Sequence, residues 1–180
     1  MSQEIEKEQR IVNSMKSALE NHEFVVFYQP KYGLSDNQIA GAEALVRWKH
    51  PERGMISPGE FIPVFERNGF ITKLDYYVWE QTCIQLRKWM DEGKNPLPKS
   101  VNLSRVSLYN IDIVNVNCNL VDSYRIPRRL FQVELTESAY NTNPKAVQDM
   151  MQRLREEGFY ILMDDFGSGY SSLNVLKDIV

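Results

Sequence analysis

The stretch RLFQVELTES, residues 129–138, alternates apolar and polar side chains, which is the pattern of a β-strand with two different faces. Its apolar face carries Phe131, Val133 and Leu135, and its opposite face carries Gln132, Glu134 and Thr136. Helical patterns flank the strand on both sides, and this order favours a parallel sheet covered by helices. Glu134 is then expected to point away from the helices, toward the centre of the sheet or barrel.

The rest of the chain repeats the order of strand and helix after an opening hairpin. Further strands are predicted over residues 24–30, 38–48, 99–104 and 159–165. Helices are predicted over residues 4–22, 58–67, 72–92, 105–124 and 143–158. In helix 72–92 the apolar stripe is Trp79, Cys83, Leu86 and Met90, so a packed, inert Cys83 is expected. The predicted class is therefore α/β, with a sheet that is either open or closed as a barrel.

Composition narrows the range of functions. The chain has 180 residues, enough for one domain, and 43% hydrophobic and 25% charged residues, as in ordinary globular proteins. A net charge of -3 argues against broad affinity for duplex nucleic acid. Neither a membrane-spanning segment nor a signal peptide is expected, because apolar runs are short and the first ten residues are polar. Cys83 and Cys118 are lone thiols, so a reducing, cytoplasmic location is expected.

Oxygen-bearing side chains occur near the carboxyl ends of four predicted strands. They are Glu43, Asn102, Glu134 and the adjacent pair Asp164 and Asp165. Several buried carboxylates cannot stay ionised together without a compensating cation. Oxygen ligands without histidine or cysteine suit Mg²⁺ or Mn²⁺, and barrel active sites lie at the carboxyl ends of strands.

Each of these residues also has a simpler interpretation. Glu43, Leu45 and Arg47 share one strand face, and a glutamate beside an arginine is often only a structural ion pair. Asn102 alone is typical of a turn residue with satisfied hydrogen bonds, and the two aspartates could be a solvated strand end. The combination favours a cation site, because each strand has its polar residue where a packed design would place Val or Ile.

Six motifs, taken together and in order, resemble the EAL family of cyclic di-GMP phosphodiesterases. They are FYQP (27–30), GAEALVRW (41–48), SPGEFIPVFERNGFI (57–71), VNLS (101–104), VELTES (133–138) and MDDFGSGYSSL (163–173). The resemblance implies a modified (β/α)₈ TIM-type barrel whose first strand runs antiparallel and which is incomplete in this chain. Residues 1–22 would be an N-terminal connector helix, and residues 23–180 the N-terminal part of an EAL domain.

The resemblance also implies a site for two ions, Mg²⁺ or Mn²⁺. Glu43, Asn102, Glu134 and Asp164 resemble the ligands of one ion, and Asp164 would bridge to a second ion that Asp165 also binds. Glu137 resembles the glutamate that positions the DDFGSG loop. Gln29, Leu45 and Arg47 resemble substrate-binding residues, with Arg47 on a phosphate. The implied reaction is hydrolysis of one phosphodiester of cyclic di-GMP to linear pGpG.

Residues 1–180 lack a counterpart of three later family motifs: a lysine on the next strand, and a glutamate and a glutamine on the last two. The family's lysine and glutamate handle the attacking water, so we expect residues 1–180 alone to be weakly active or inactive. Two alternatives remain open: a non-catalytic cyclic di-GMP receptor and a dimerising signalling module. The expected partners are cyclic di-GMP, a second copy of the chain, and an upstream sensory or cyclase domain in a longer parent protein.

Overall fold

The computed structural model describes residues 2–164, including every side chain except those of residues 137, 138 and 164. The strands are β1 (Phe24–Tyr32), β2 (Ile39–His50), β3 (Gly54–Ile56), β4 (Lys99–Leu103), β5 (Phe131–Thr136) and β6 (Tyr160–Asp164). The helices are α1 (Ser2–Glu20), α2 (Pro58–Asn68), α3 (Ile71–Asp91), α4 (Arg105–Asn110), α5 (Ile113–Ser123), α6 (Glu137–Thr142) and α7 (Pro144–Glu156).

One mixed sheet organises the described residues. Its strand order is β1-β2-β4-β5-β6, and β3 pairs with β2 outside this path. β1 and β2 form an antiparallel hairpin, while the pairs β2–β4, β4–β5 and β5–β6 are parallel. The predicted hairpin and the parallel sheet that follows it are both confirmed.

Two local predictions need correction, and one short strand was not predicted. The strand predicted over residues 129–138 ends at Thr136, because the Thr136 hydroxyl accepts a hydrogen bond from the Ala139 N–H and caps the unpredicted helix α6. The single helix predicted over residues 105–124 is two helices, because Asp112 caps the start of α5. Strand β3 was not predicted, since three residues are too few to show a period.

Local signals explain where the other elements begin and where they approach each other. Ser57 caps α2 by accepting a hydrogen bond from the Gly59 N–H, and α2 ends at Gly69, whose φ of 79° suits glycine. At the start of β2, a Cβ on Gly41 would lie 2.7 Å from the carbonyl oxygen of Pro98. Glycine is therefore required where β2 meets the segment leading into β4.

The helix-facing side of the sheet forms the core. An aromatic cluster joins β1 and β2 to α2, and it consists of Phe24, Trp48, Phe61, Phe65 and Phe70. The Cys83 thiol is fully buried, as predicted, and burial raises its pKa to about 12, so it is unreactive at neutral pH.

Helix α1 lies against α2. Its apolar residues Ile11 and Ala18 are buried, and Arg67 of α2 pairs with Glu8 of α1 at 3.0 Å. The proposed domain boundary at residue 22 stays a prediction. In the part of the chain that the structure describes, no helix is both long and apolar enough to cross a membrane.

Candidate active site

Three strands bring polar side chains together on the face of the sheet opposite the helices. Asn102 of β4 is the direct register partner of Glu134 on β5. The Asn102 amide Nδ2 donates a hydrogen bond of 3.1 Å to Oε1 of Glu43 on β2. Because partners in adjacent strands point to the same face, Glu43, Asn102 and Glu134 form one polar group.

Glu134 is the most deeply buried member of this group, with 4% of its surface exposed. Its Oε2 atom accepts a 3.0 Å hydrogen bond from the ammonium nitrogen of Lys31, on β1. Sequence reasoning missed Lys31. The only available signal was its position two residues after Gln29 on the same strand, which places both on one face.

Gln29 and Leu45 lie on the hairpin beside this group. Gln29 is the register partner of Glu43, and Leu45 is the partner of Phe27. Gln29 is exposed, whereas Leu45 and Arg47 are half-buried. The Arg47 guanidinium donates a 2.9 Å hydrogen bond to the carbonyl of its neighbour Val46.

A cavity of about 520 Å³ opens beside the polar group. β2 and β4 pair at only two positions, Ala42 with Lys99 and Glu43 with Ser100. The cavity lies between the residues that follow these pairs in the two strands. Its polar and charged lining residues are Arg47, Glu66, Asp75, Asn102, Ser104, Arg105 and Thr136. Arg105 was not predicted, since nothing in its local pattern distinguishes it from a solvated helix residue. Arg47 and Arg105 are the lining groups that can contact an anionic ligand, and the same lining also holds two carboxylates, Glu66 and Asp75.

Asp75 of α3 is a second residue that sequence reasoning missed, although it lies on the buried face of that helix, which is a detectable signal. Its Oδ2 atom accepts hydrogen bonds from the Ser104 N–H at 3.1 Å and the Ser107 hydroxyl at 2.7 Å. Burial raises its pKa to about 6, even though these hydrogen bonds act in the opposite direction. Asp75 therefore ties α3 to the segment that follows Asn102.

The donor set fits a hard divalent ion. Glu43 and Glu134 supply carboxylates, and Asn102 supplies an amide whose nitrogen already bonds Glu43, so its oxygen is the ligand atom it would offer. Among the described side chains, no three His, Cys, Asp or Glu residues form a group that could hold a metal ion. The side chains of Glu137 and Asp164, and all of Asp165, lie outside the described residues. The backbone of Asp164 ends β6 and pairs with Thr136 on β5.

Comparison with known proteins connects this geometry to one group of signalling proteins. The EAL domain family profile matches residues 12–179. An uncharacterized signaling protein from Caulobacter vibrioides is 38% identical over 178 residues, which cover 98% of this chain and 21% of that protein. MucR from Pseudomonas aeruginosa, a bifunctional diguanylate cyclase/cyclic di-GMP phosphodiesterase, is 33% identical, over 98% of this chain and 26% of its own length.

A solved structure shows the same arrangement of elements. The PaMucR phosphodiesterase, in complex with c-di-GMP, matches with a TM-score of 0.87 and 34% sequence identity. The match covers 94% of this chain and 69% of that one. The chain thus spans only about a fifth to a quarter of the two curated relatives, and about two thirds of the PaMucR chain.

Proposed function

Because the chain belongs to the EAL domain family, we propose that it is a phosphodiesterase domain that hydrolyses one phosphodiester of cyclic di-GMP to linear pGpG. A named relative and a solved structure support the substrate: MucR is named as a bifunctional diguanylate cyclase/cyclic di-GMP phosphodiesterase, and the PaMucR phosphodiesterase structure is a complex with c-di-GMP. The predicted family is confirmed. The predicted barrel-type fold with an antiparallel first strand is also confirmed, by the strand order and the match to PaMucR.

The observation that carries the proposal is the meeting of Glu43, Asn102 and Glu134 beside a cavity that Arg47 lines. In the proposal these three residues and Asp164 would hold one Mg²⁺ or Mn²⁺, and Asp164 and Asp165 would hold a second. When bound, such a pair of ions supplies positive charge for the phosphate and a nucleophilic water at neutral pH.

The chain's own residues would bind and orient the substrate. Arg47 would contact a phosphate oxygen from the cavity wall, as its charge and position allow. Leu45 would pack against the ligand beside it, and Gln29 would contact a guanine base. Glu137 would position the loop that begins at Asp164.

We further propose that residues 1–180, taken alone, turn over slowly or not at all, since the family's water-handling lysine and glutamate have no counterpart among them. Helix α1 would act as a connector to an upstream sensory or cyclase domain. The bifunctional MucR, in which the matched region is a quarter of the protein, gives this arrangement a precedent.

Calorimetric titration of the purified chain with Mn²⁺, and then with cyclic di-GMP, tests the proposal. We expect saturable binding of both, and a large loss of cyclic di-GMP affinity in Arg47→Ala. Arg10→Ala is the matched control, since Arg10 is exposed on α1. Undetectable binding of both Mn²⁺ and cyclic di-GMP would overturn the proposal that the chain is a phosphodiesterase domain. A clear rate of pGpG formation by residues 1–180 would overturn the separate proposal that these residues alone turn over slowly or not at all.

A non-catalytic cyclic di-GMP receptor is the second candidate, because Arg47 and Arg105 can contact a phosphate whether or not turnover follows. A chromatographic assay for pGpG on the full-length gene product separates the candidates, because a receptor binds the ligand without forming product. The third candidate, a dimerising module, is suggested by exposed aromatic residues on the strands: Phe27 is 53% exposed and Tyr160 62%. Light scattering would detect such a dimer, and that module would bind neither ligand.

A further inference from the structure

Helix α3 holds the end of β4 at two points, and both holding residues lie one turn apart on the buried face of the helix. The indole Nε1–H of Trp79 donates a 3.0 Å hydrogen bond to the backbone carbonyl of Asn102. The carboxylate of Asp75 accepts the Ser104 N–H at 3.1 Å. The backbone on both sides of Leu103 is therefore fixed by polar groups from α3.

The sheet explains why an indole is needed there. β2 pairs with β4 only at Lys99 and Ser100, so at Asn102 the ladder with β2 no longer supplies a partner. A buried carbonyl without a donor is costly, and Asn102 also lines the cavity. The Trp79 indole supplies a donor from the helix side, where it is 1% exposed.

Fixing this carbonyl also fixes the Asn102 side chain. The amide of Asn102 reaches Glu43 at 3.1 Å, and a small rotation of the strand end would change that distance directly. We propose that Trp79 is a positioning residue for the cation site, and that its indole N–H sets the direction of the Asn102 amide. This inference rests on the proposed function, in which Asn102 is a metal ligand.

The test is the affinity of the purified chain for Mn²⁺, measured by calorimetry in Trp79→Phe. Phenylalanine keeps an aromatic ring in the core but removes the N–H. We expect about a 10-fold loss of Mn²⁺ affinity, the lower end of the effect of outer partners of metal ligands. The matched control is Trp48→Phe, because Trp48 is also fully buried and its indole donates a 2.9 Å hydrogen bond to Glu23, away from Asn102.

Both variants should lower the melting temperature, but only Trp79→Phe should weaken Mn²⁺ binding. Equal Mn²⁺ affinities in the two variants would overturn the inference while leaving the proposed function intact. If Trp79→Phe does not fold, Trp79→Met replaces it, since methionine also removes the N–H that bonds the Asn102 carbonyl and its flexible side chain fills irregular core space.

A second readout does not depend on metal. With ¹⁵N-labelled asparagine, the side-chain amide signals of Asn102, assigned through Asn102→Asp, should shift in Trp79→Phe and stay in place in Trp48→Phe. Unmoved signals in Trp79→Phe would overturn the inference. If the wild-type chain binds no Mn²⁺, the proposed function is overturned. The role of Trp79 in a cation site is then overturned as well, because it depends on that function.

Discussion

The ammonium nitrogen of Lys31 lies 3.0 Å from Oε2 of Glu134, and the two residues belong to β1 and β5, which are separated in the sheet by β2 and β4. The contact therefore crosses the face that carries Glu43 and Asn102. It gives a carboxylate that is 4% exposed a cation from the chain itself. A divalent ion at this site would either bind Glu134 together with Lys31 or replace the Lys31 ammonium as the partner of Glu134.

Lys31→Met should lower the free energy of unfolding by about 1–3 kcal/mol, because it leaves a buried carboxylate without the hydrogen-bond donor that now contacts it. The lower part of this range is expected, since the Lys31 side chain is 35% exposed and solvent screens the pair. Mn²⁺ should stabilise Lys31→Met more than the wild type, because the ion then supplies the missing charge. Urea denaturation with and without Mn²⁺ measures both effects, with Lys49→Met, at an exposed position of β2, as the control. Identical behaviour of the two variants would contradict the prediction.

Glu43→Gln separates a metal ligand from a structural partner. A glutamine keeps an oxygen that can accept the hydrogen bond from Asn102, so the fold should be retained. The charge is lost, and because Glu43 would be a direct ligand, we expect Mn²⁺ affinity to fall by at least the roughly 100-fold that loss of an outer partner of a ligand can cause. Calorimetry and the circular dichroism melting curve are the two measurements. A lower melting temperature with unchanged Mn²⁺ affinity would show that Glu43 is only a structural partner.

The order of elements could be predicted because the signals are local. The period of two in β5 and the caps at Ser57 and Asn143 depend only on neighbouring residues. The starts of α5 and α6 could also have been predicted from local sequence, since Asp112 and Thr136 are ordinary helix N-caps. β3 could not be predicted from local sequence, because its three residues form a strand only by pairing with β2.

The site was predictable to the extent that strand alternation decides which face a side chain takes. That rule placed Glu43, Asn102 and Glu134 on one side, and the hydrogen bond and the register agree with it. The contacts of Lys31 with Glu134 and of Trp79 with Asn102 join distant segments. Their geometry depends on the spacing of the sheet and α3, which no local pattern encodes.

Asp75→Asn should change how stability depends on pH. Burial raises the pKa of Asp75 to about 6 from its usual 3.8, so the folded chain binds the proton more tightly than the unfolded chain. The contribution of Asp75 to the free energy of unfolding is therefore most favourable below about pH 4, and it is lost as the pH rises through about 6. Asparagine does not titrate, so the stability of Asp75→Asn relative to the wild type should rise by about 2–3 kcal/mol between pH 4 and pH 7. Denaturation at several pH values tests this, and a difference that stays constant with pH would contradict it.

Gly41→Ala tests how closely β2 must approach β4 for the site to form. The new Cβ would lie 2.7 Å from the carbonyl oxygen of Pro98, which also accepts the Ala42 N–H at 3.0 Å. Because backbone must move to relieve this contact, we expect a loss of about 1–3 kcal/mol in the free energy of unfolding. Ala42 and Glu43 are the residues through which β2 pairs with β4, so Mn²⁺ affinity should fall as well.

Gly59→Ala is the control for the same substitution. A Cβ at position 59 would have the Ser57 hydroxyl oxygen as its nearest heavy atom, at 3.6 Å, which is an ordinary van der Waals contact at the start of α2. Alanine favours a helix over glycine, so this variant should be as stable as the wild type or more stable by up to about 1 kcal/mol. Urea denaturation and Mn²⁺ calorimetry on both variants decide the matter. If Gly41→Ala retains wild-type stability and affinity, the close contact of Gly41 with Pro98 is not what sets the position of Glu43.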